Sequence, residues 1–254
     1  MERKLLAGNW KMNGHRAEAA ALARDLAAHA AREENGCEWV VCPPFPLLGT
    51  VAEAVRGSGI RVGGQDCHAA PSGPHTGDVA APMLADVGCS YVIVGHSERR
   101  RDHEETDADV RAKAEAAQAA GIAPIVCVGE TQAERAAGRT EAVLAHQVET
   151  GVPEAPVQPL AIAYEPVWAI GTGVTPGADE IAAALAVIRR TLRQRVDAVT
   201  ADGLRLLYGG SVKPANAAEL CGIDGVDGLL VGAASLSVER FRAIGHSCCE
   251  ARHT

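Results

Sequence analysis

Two kinds of segment alternate along this chain, and they do so eight times. Short runs that read as strands span Lys4–Asn9, Trp39–Cys42, Ile60–Gln65, Tyr91–Gly95, Ile122–Val128, Leu160–Glu165, Leu204–Tyr208 and Gly228–Val231. Several lack polar alternation, which suits strands covered on both faces. Helical segments fill the intervals. Arg16–Arg32 is rich in Ala, Leu, Glu and Arg. Glu104–Ala120 has acids near Thr106 and Asp107 at its start and Gly121 just past its end. Ala178–Val196 sets Ile181, Leu185, Ile188 and Leu192 on one stripe. Shorter helices are expected over Pro46–Arg56, Ala80–Val87, Thr140–Thr150, Ala215–Leu220 and Val238–Ile244. Such a chain closes into a barrel or opens into a doubly wound sheet. No G-x-G-x-x-G follows the first strand, which counts against a dinucleotide-binding sheet. With no linker-like break, the expectation is an α/β protein, a single-domain (β/α)8 barrel over residues 1–254.

Composition limits the core and the partners. Aromatics are 3% of a chain that is 47% apolar, so Ala, Val, Leu and Ile must build the core. A net charge of -8 makes nucleic acid and anionic membranes poor partners. Any anion site must be local, made from a lysine, backbone N–H groups or helix N-termini. No run approaches the roughly 18 apolar residues of a membrane span, and Met1–Lys4 leads straight into a strand. The eight cysteines include no C-x-x-C pair, so zinc and thioredoxin-like readings lack support. A disulfide framework is not expected, and the chain reads as cytoplasmic and reduced.

In a barrel, reactive groups belong just after the strands. Asn9 and Lys11 follow the first strand, His96, Ser97 and Glu98 the fourth, Cys127 ends the fifth and Glu165 the sixth. Gly209-Gly210-Ser211 and Gly232-Ala233 follow the seventh and eighth, where barrels commonly hold phosphate. Each has a plainer reading. A strand-end Glu is usually solvated, Lys11 taken singly is a surface charge, Cys127 is a small buried hydrophobe, and the glycines make turns. Glu165, however, opens the apolar, glycine-rich stretch Pro166–Gly173, which could close over a site and desolvate the carboxylate, raising its basicity. His96 precedes what reads as a short helix, whose N-terminus would keep an imidazole neutral.

Asn9-Trp10-Lys11-Met12-Asn13, Gly95–Arg100, Cys127-Val128-Gly129-Glu130, Ala163–Gly173, Tyr208–Val212 and Leu230-Val231-Gly232 together resemble the signature segments of the triosephosphate isomerase family, in its order and spacing over nearly the whole chain. The resemblance implies a TIM barrel that interconverts dihydroxyacetone phosphate and D-glyceraldehyde 3-phosphate through an enediolate, in glycolysis and gluconeogenesis. It implies the family's roles: Glu165 as the base and neutral His96 as the electrophile. Lys11 and Asn9 would hold the substrate oxygens. Gly171, Ser211, Gly232 and Ala233 would contact phosphate. Ser97 would hold Glu165 in the open state, with Glu98 supporting Lys11 and His96, and Cys127 standing beside the site. No metal and no organic cofactor is implied. A homodimer is, with the loop Gln65–Val79 carrying Thr76 toward the partner's site. Relatives that act on four-carbon ketose phosphates leave a second substrate open. Three places depart from the family pattern. Asp78 replaces a Glu, Val174-Thr175-Pro176 replaces Lys-Thr-Ala, and Ala233 replaces a Gly that tolerates a methyl only at negative φ. Nothing assigns a role to Cys248 or Cys249.

Overall fold

The computed structural model describes residues 3–30, 36–157, 159–171 and 175–250. Thr172, Gly173 and Val174 of the glycine-rich loop, and Ala31 and Arg32 of the expected first helix, lie outside these residues. In chain order the elements are β1 (Lys4–Asn9), α1 (Arg16–Ala30), β2 (Cys37–Cys42), α2 (Leu48–Ala54), β3 (Arg61–Gly64), α3 (Ala81–Asp86), β4 (Tyr91–Val94), α4 (Ser97–Asp102), α5 (Asp107–Ala119), β5 (Ala123–Val128), α6 (Gln132–Ala136), α7 (Thr140–Gly151), β6 (Ala161–Tyr164), α8 (Ala178–Arg195), α9 (Ala198–Gly203), β7 (Arg205–Tyr208), α10 (Ala217–Gly222), β8 (Gly228–Val231) and α11 (Val238–Glu250). Each strand pairs in parallel with the next, and β8 pairs with β1, closing the barrel. None of the described helices is long and apolar enough to cross a membrane.

The apolar strands are explained by two cores. Leu5 and Ala7 of β1, Val40 and Cys42 of β2, and Ile93 of β4 pack inside the barrel. Their neighbours Leu6, Val41 and Val92 face the helices, where Ala19, Ala23, Ala114 and Ala117 let the helices approach closely. With both faces covered, alternation disappears from the sequence. Truncating a leucine in either core costs about 2–5 kcal/mol.

At the end of the barrel where strands begin, the interior is closed by charge. Arg205 donates to Glu38 Oε2 and to Tyr91 Oη, and Tyr91 donates to Glu38 Oε1, each at 2.7 Å.

Several boundaries differ from expectation. β2 starts at Cys37 because β1 pairs with it from Lys4↔Cys37 to Asn9↔Cys42. α11 continues to Glu250, and its stripe of Phe241, Ile244 and Cys248 is fully buried. The five-residue α6 was not expected, although a Thr131/Glu134 capping box starts it. The expectation of a reduced chain is corrected at one place. Cys221 at the end of α10 and Cys248 in the last turn of α11 form a disulfide, with Cα atoms 5.3 Å apart. Neighbouring helices packed around the barrel bring these residues together, and no Cys spacing announces that.

Candidate active site

The site forms where the strands end. Asn9 closes β1, and two residues on Lys11 adopts φ +52°, a left-handed conformation costing a non-glycine residue about 1–3 kcal/mol. It is held from three sides. The Lys11 N–H donates to Asn9 Oδ1 at 3.0 Å. Gln65 Nε2 donates to the carbonyls of Lys11 at 2.9 Å and Cys42 at 2.8 Å, tying this turn to β2. The ammonium meets Glu98 Oε1 at 2.6 Å.

The fourth strand end supplies the imidazole. His96 caps α4, and its Nδ1 accepts the Glu98 N–H at 3.2 Å. That places the ring proton of neutral His96 on Nε2. Nε2 lies 3.1 Å from Glu165 Oε1, while Glu165 Oε2 accepts the Ser97 N–H at 3.1 Å. The end of β4 thus holds both oxygens of a carboxylate that follows β6, far away in sequence. Glu165 and His96 are nearly fully buried. Close approach is enforced behind Glu165 as well, since a side chain at Gly129 would stand 1.7 Å from the Glu165 carbonyl oxygen. The turn after Glu165 is anchored by buried Glu130, which accepts from Trp168 Nε1 at 2.8 Å and Tyr164 Oη at 3.3 Å.

Opposing effects set the protonation of this pair. Burial pushes the Glu165 carboxyl up, but the His96 imidazole, the Ser97 N–H and the Lys11 ammonium outweigh it, so the net shift is downward. Desolvation therefore acts as expected, but its neighbours reverse the expected rise in basicity. For His96, burial and Lys11 pull down while Glu165 and Glu98 push up, and the carboxylates prevail. Burial, with Glu165 adding to it, pushes the Cys127 thiol well up, so it stays neutral.

One cavity of about 570 Å³ collects Asn9, Lys11, His96, Glu165, Gly171, Ser211, Gly232 and Ala233, every catalytic and substrate-binding candidate from the sequence. Ala233 begins a 3-10 turn, Ala233–Leu236, and is absent from the non-glycine residues with positive φ, so its methyl is accommodated. Ser97, Glu98 and Cys127 stand behind the lining. Thr76 is exposed on the loop after β3, away from this chain's own cavity lining. On that loop His68, His75 and Asp78 gather closely enough to share an ion, but His68 Nδ1 already accepts the Ala70 N–H at 2.9 Å. Sequence reasoning missed Gln65 as the support of Lys11, and missed Lys213 and Arg240, which also line the cavity. Arg240 belongs to α11, outside the strand-end positions where candidates were sought. Pro176, at the far end of the loop after β6, is buried.

Known proteins match the chain over nearly its whole length. The family model described as triosephosphate isomerase matches residues 4–248. A triosephosphate isomerase of Afipia carboxidovorans is 53% identical over 247 residues, covering 97% of this chain and 98% of the relative. One of Xanthobacter flavus is 54% identical over 246 residues, covering 96% and 97%. The crystal structure of triosephosphate isomerase from Bartonella henselae superimposes with a TM-score of 0.90 at 40% identity, covering 100% of both chains. The signature segments, the closed barrel and the cavity at its strand ends thus point one way: the chain belongs to the triosephosphate isomerase family.

Proposed function

We propose that this isomerase interconverts dihydroxyacetone phosphate and D-glyceraldehyde 3-phosphate through an enediolate, with Glu165 as general base and neutral His96 as electrophile. The reading rests on one observation. A buried carboxylate and an imidazole 3.1 Å apart share a cavity with an ammonium and an amide. Held below the usual carboxylate range, Glu165 is anionic at neutral pH and ready to take a proton from C1 of the ketose and return it to C2. Charge then develops on the carbonyl oxygens, where Lys11 and the His96 Nε2–H would stabilise it.

The sign of the His96 shift is compatible with a neutral imidazole during turnover. Its upward push comes chiefly from the Glu165 anion. Once Glu165 carries the substrate proton that push is gone, and burial with Lys11 opposes the smaller push that Glu98 still exerts. Protonating Nδ1 would also set it against the Glu98 N–H it now accepts. Backbone N–H groups at Gly171, Ser211, Gly232 and Ala233 would receive the phosphate. The stretch after Glu165 would close over the enediolate and keep water from promoting loss of phosphate. Ser97 would release Glu165 as that happens. This chemistry uses no metal and no organic cofactor. We further propose a cytoplasmic homodimer working in glycolysis and gluconeogenesis. In it Thr76, on a finger made rigid by Pro71 and Pro74, reaches Asn9 and Lys11 of the neighbouring copy.

A coupled assay with D-glyceraldehyde 3-phosphate on wild type and Glu165→Ala tests the proposal. Fast turnover that drops by about 10²–10⁴-fold in the variant supports it. A folded wild type that turns over four-carbon ketose phosphates and not the triose phosphate overturns the substrate assignment.

A further inference from the structure

At the end of the barrel opposite the site, two regular patterns meet. On β2, residues two apart share a face, and Cys37 and Trp39 both point outward to the helices. On α11, residues four apart share a face, which aligns Phe241, Gly245 and Cys249. The two rows lie one over the other. The Trp39 and Phe241 rings meet edge to face at 5.1 Å. A side chain at Gly245 would stand 2.1 Å from the Trp39 ring, so glycine lets helix and strand approach. Cys37 Sγ contacts the Gly245 carbonyl at 3.7 Å and lies 3.1 Å from Cys249 Sγ. Cys249 Sγ in turn fills the space a side chain at Gly36 would take, 2.0 Å from where its Cβ would be. On the adjacent face of the same turn, Cys248 is already joined to Cys221.

We propose that Cys37 and Cys249 are a thiol-oxidation site that closes a second disulfide, fastening the last turn of α11 to β2 as Cys221–Cys248 fastens it to α10. The oxidant class is a low-molecular-weight disulfide. Cys249, the more accessible of the two, attacks it as the thiolate, forming a mixed disulfide and releasing one small thiol. The Cys37 thiolate then attacks Cys249 Sγ, the protein S–S bond forms, and the second small thiol leaves. Two protein thiols lose two protons and two electrons, and one small disulfide becomes two thiols. The sulfurs need to approach by only about 1 Å to reach bonding distance. The new link joins residues 212 apart. It restrains nearly the whole barrel in the unfolded chain, the case in which a cross-link removes most chain entropy, and it holds the helix that begins just beyond the Gly232–Leu236 rim of the site.

The test starts from protein with Cys221–Cys248 closed and six cysteines outside it. The intact chain is incubated with oxidised glutathione, then denatured in an alkylating reagent, weighed and mapped without reduction. Alkylatable thiols are expected to fall from six to four. The fragment carrying Cys37 should become joined to the one carrying Cys248 and Cys249. Cys37→Ala should instead keep glutathione on Cys249, since nothing resolves the mixed disulfide. Six thiols persisting in wild type, a lasting glutathione adduct on its Cys249, or a new bond through any other cysteine would overturn the proposal.

Discussion

Both ends of the barrel bury charged groups, to opposite effect. Where the strands begin, Arg205, Glu38 and Tyr91 each bond to the other two at 2.7 Å. The partners are side chains, the triangle is closed, and no part of it joins the lining of the large cavity. Where the strands finish, Glu165 and His96 are gripped by backbone N–H groups of Ser97 and Glu98, Lys11 sits in a strained backbone conformation, and all three face open space. Ion pairing is therefore not what marks the functional end. The mark is hydrogen-bonding capacity left facing a cavity and held there by rigid backbone, so that substrate completes the network. The closed triangle can only stabilise.

Substitutions at the two ends should separate these properties. The largest effect is expected from Glu165→Asp, which withdraws the carboxylate by one methylene. Steady-state kinetics should show kcat down by about 10²–10³-fold, with KM and the melting temperature little moved. Unchanged kcat would remove Glu165 from the base role. Lys11→Met should come next, lowering kcat/KM by about 10²-fold, mostly through KM, as a charge-assisted contact to the anionic substrate is lost. A normal KM would sink that role and blur the contrast between the ends. At the other end, Arg205→Met leaves Glu38 without its cation. It should lower stability by about 2 kcal/mol after allowing for partial water access, or roughly 4–8 °C in melting temperature. Its kcat should stay within about twofold of wild type. A selective loss of kcat would mean that the two ends are coupled.

The smallest effect concerns acid. Burial pushes Glu38 up, but its bonds from Arg205 and Tyr91 pull it further down, so the folded value lies below the ordinary 4.5. Folding thus favours its anion. That stabilisation is complete above about 4.5 and is lost as pH falls through the lower folded value. Glu38→Gln should cost about 1 kcal/mol at neutral pH, and its difference from wild type in denaturant melts should shrink below about pH 4. A difference independent of pH would show that Glu38 does not carry the triangle's charge.

The sequence was legible where short-range patterns carry the information. β1 and β8 end where their residue pattern stops. Gln65, Gly95 and Glu165 fall outside the paired strands that the apolar runs suggest, because pairing depends on the neighbouring strand; Gln65 then braces Lys11 and Glu165 enters the cavity. α6 and α9 are too short to show an apolar period, although Thr131 and Asp197 cap them. Arg240 escaped notice because a helix, rather than a strand end, brings it to the cavity.

Periodicity along the chain was enough to give eight strand–helix units and a row of reactive side chains just past the strands, because each of these depends on neighbours within a few residues. The barrel came from the missing dinucleotide motif and the family resemblance, since closure pairs β1 with β8. The grip of Ser97 on Glu165 spans 68 residues, that of Lys11 on Glu98 spans 87, and the Cys221–Cys248 bond spans 27. The direction of the Glu165 shift, the left-handed turn at Lys11 and the pairing of the cysteines all follow from distances of a few ångströms between segments remote in the chain. No local pattern encodes such distances, so they came into being only when the barrel closed.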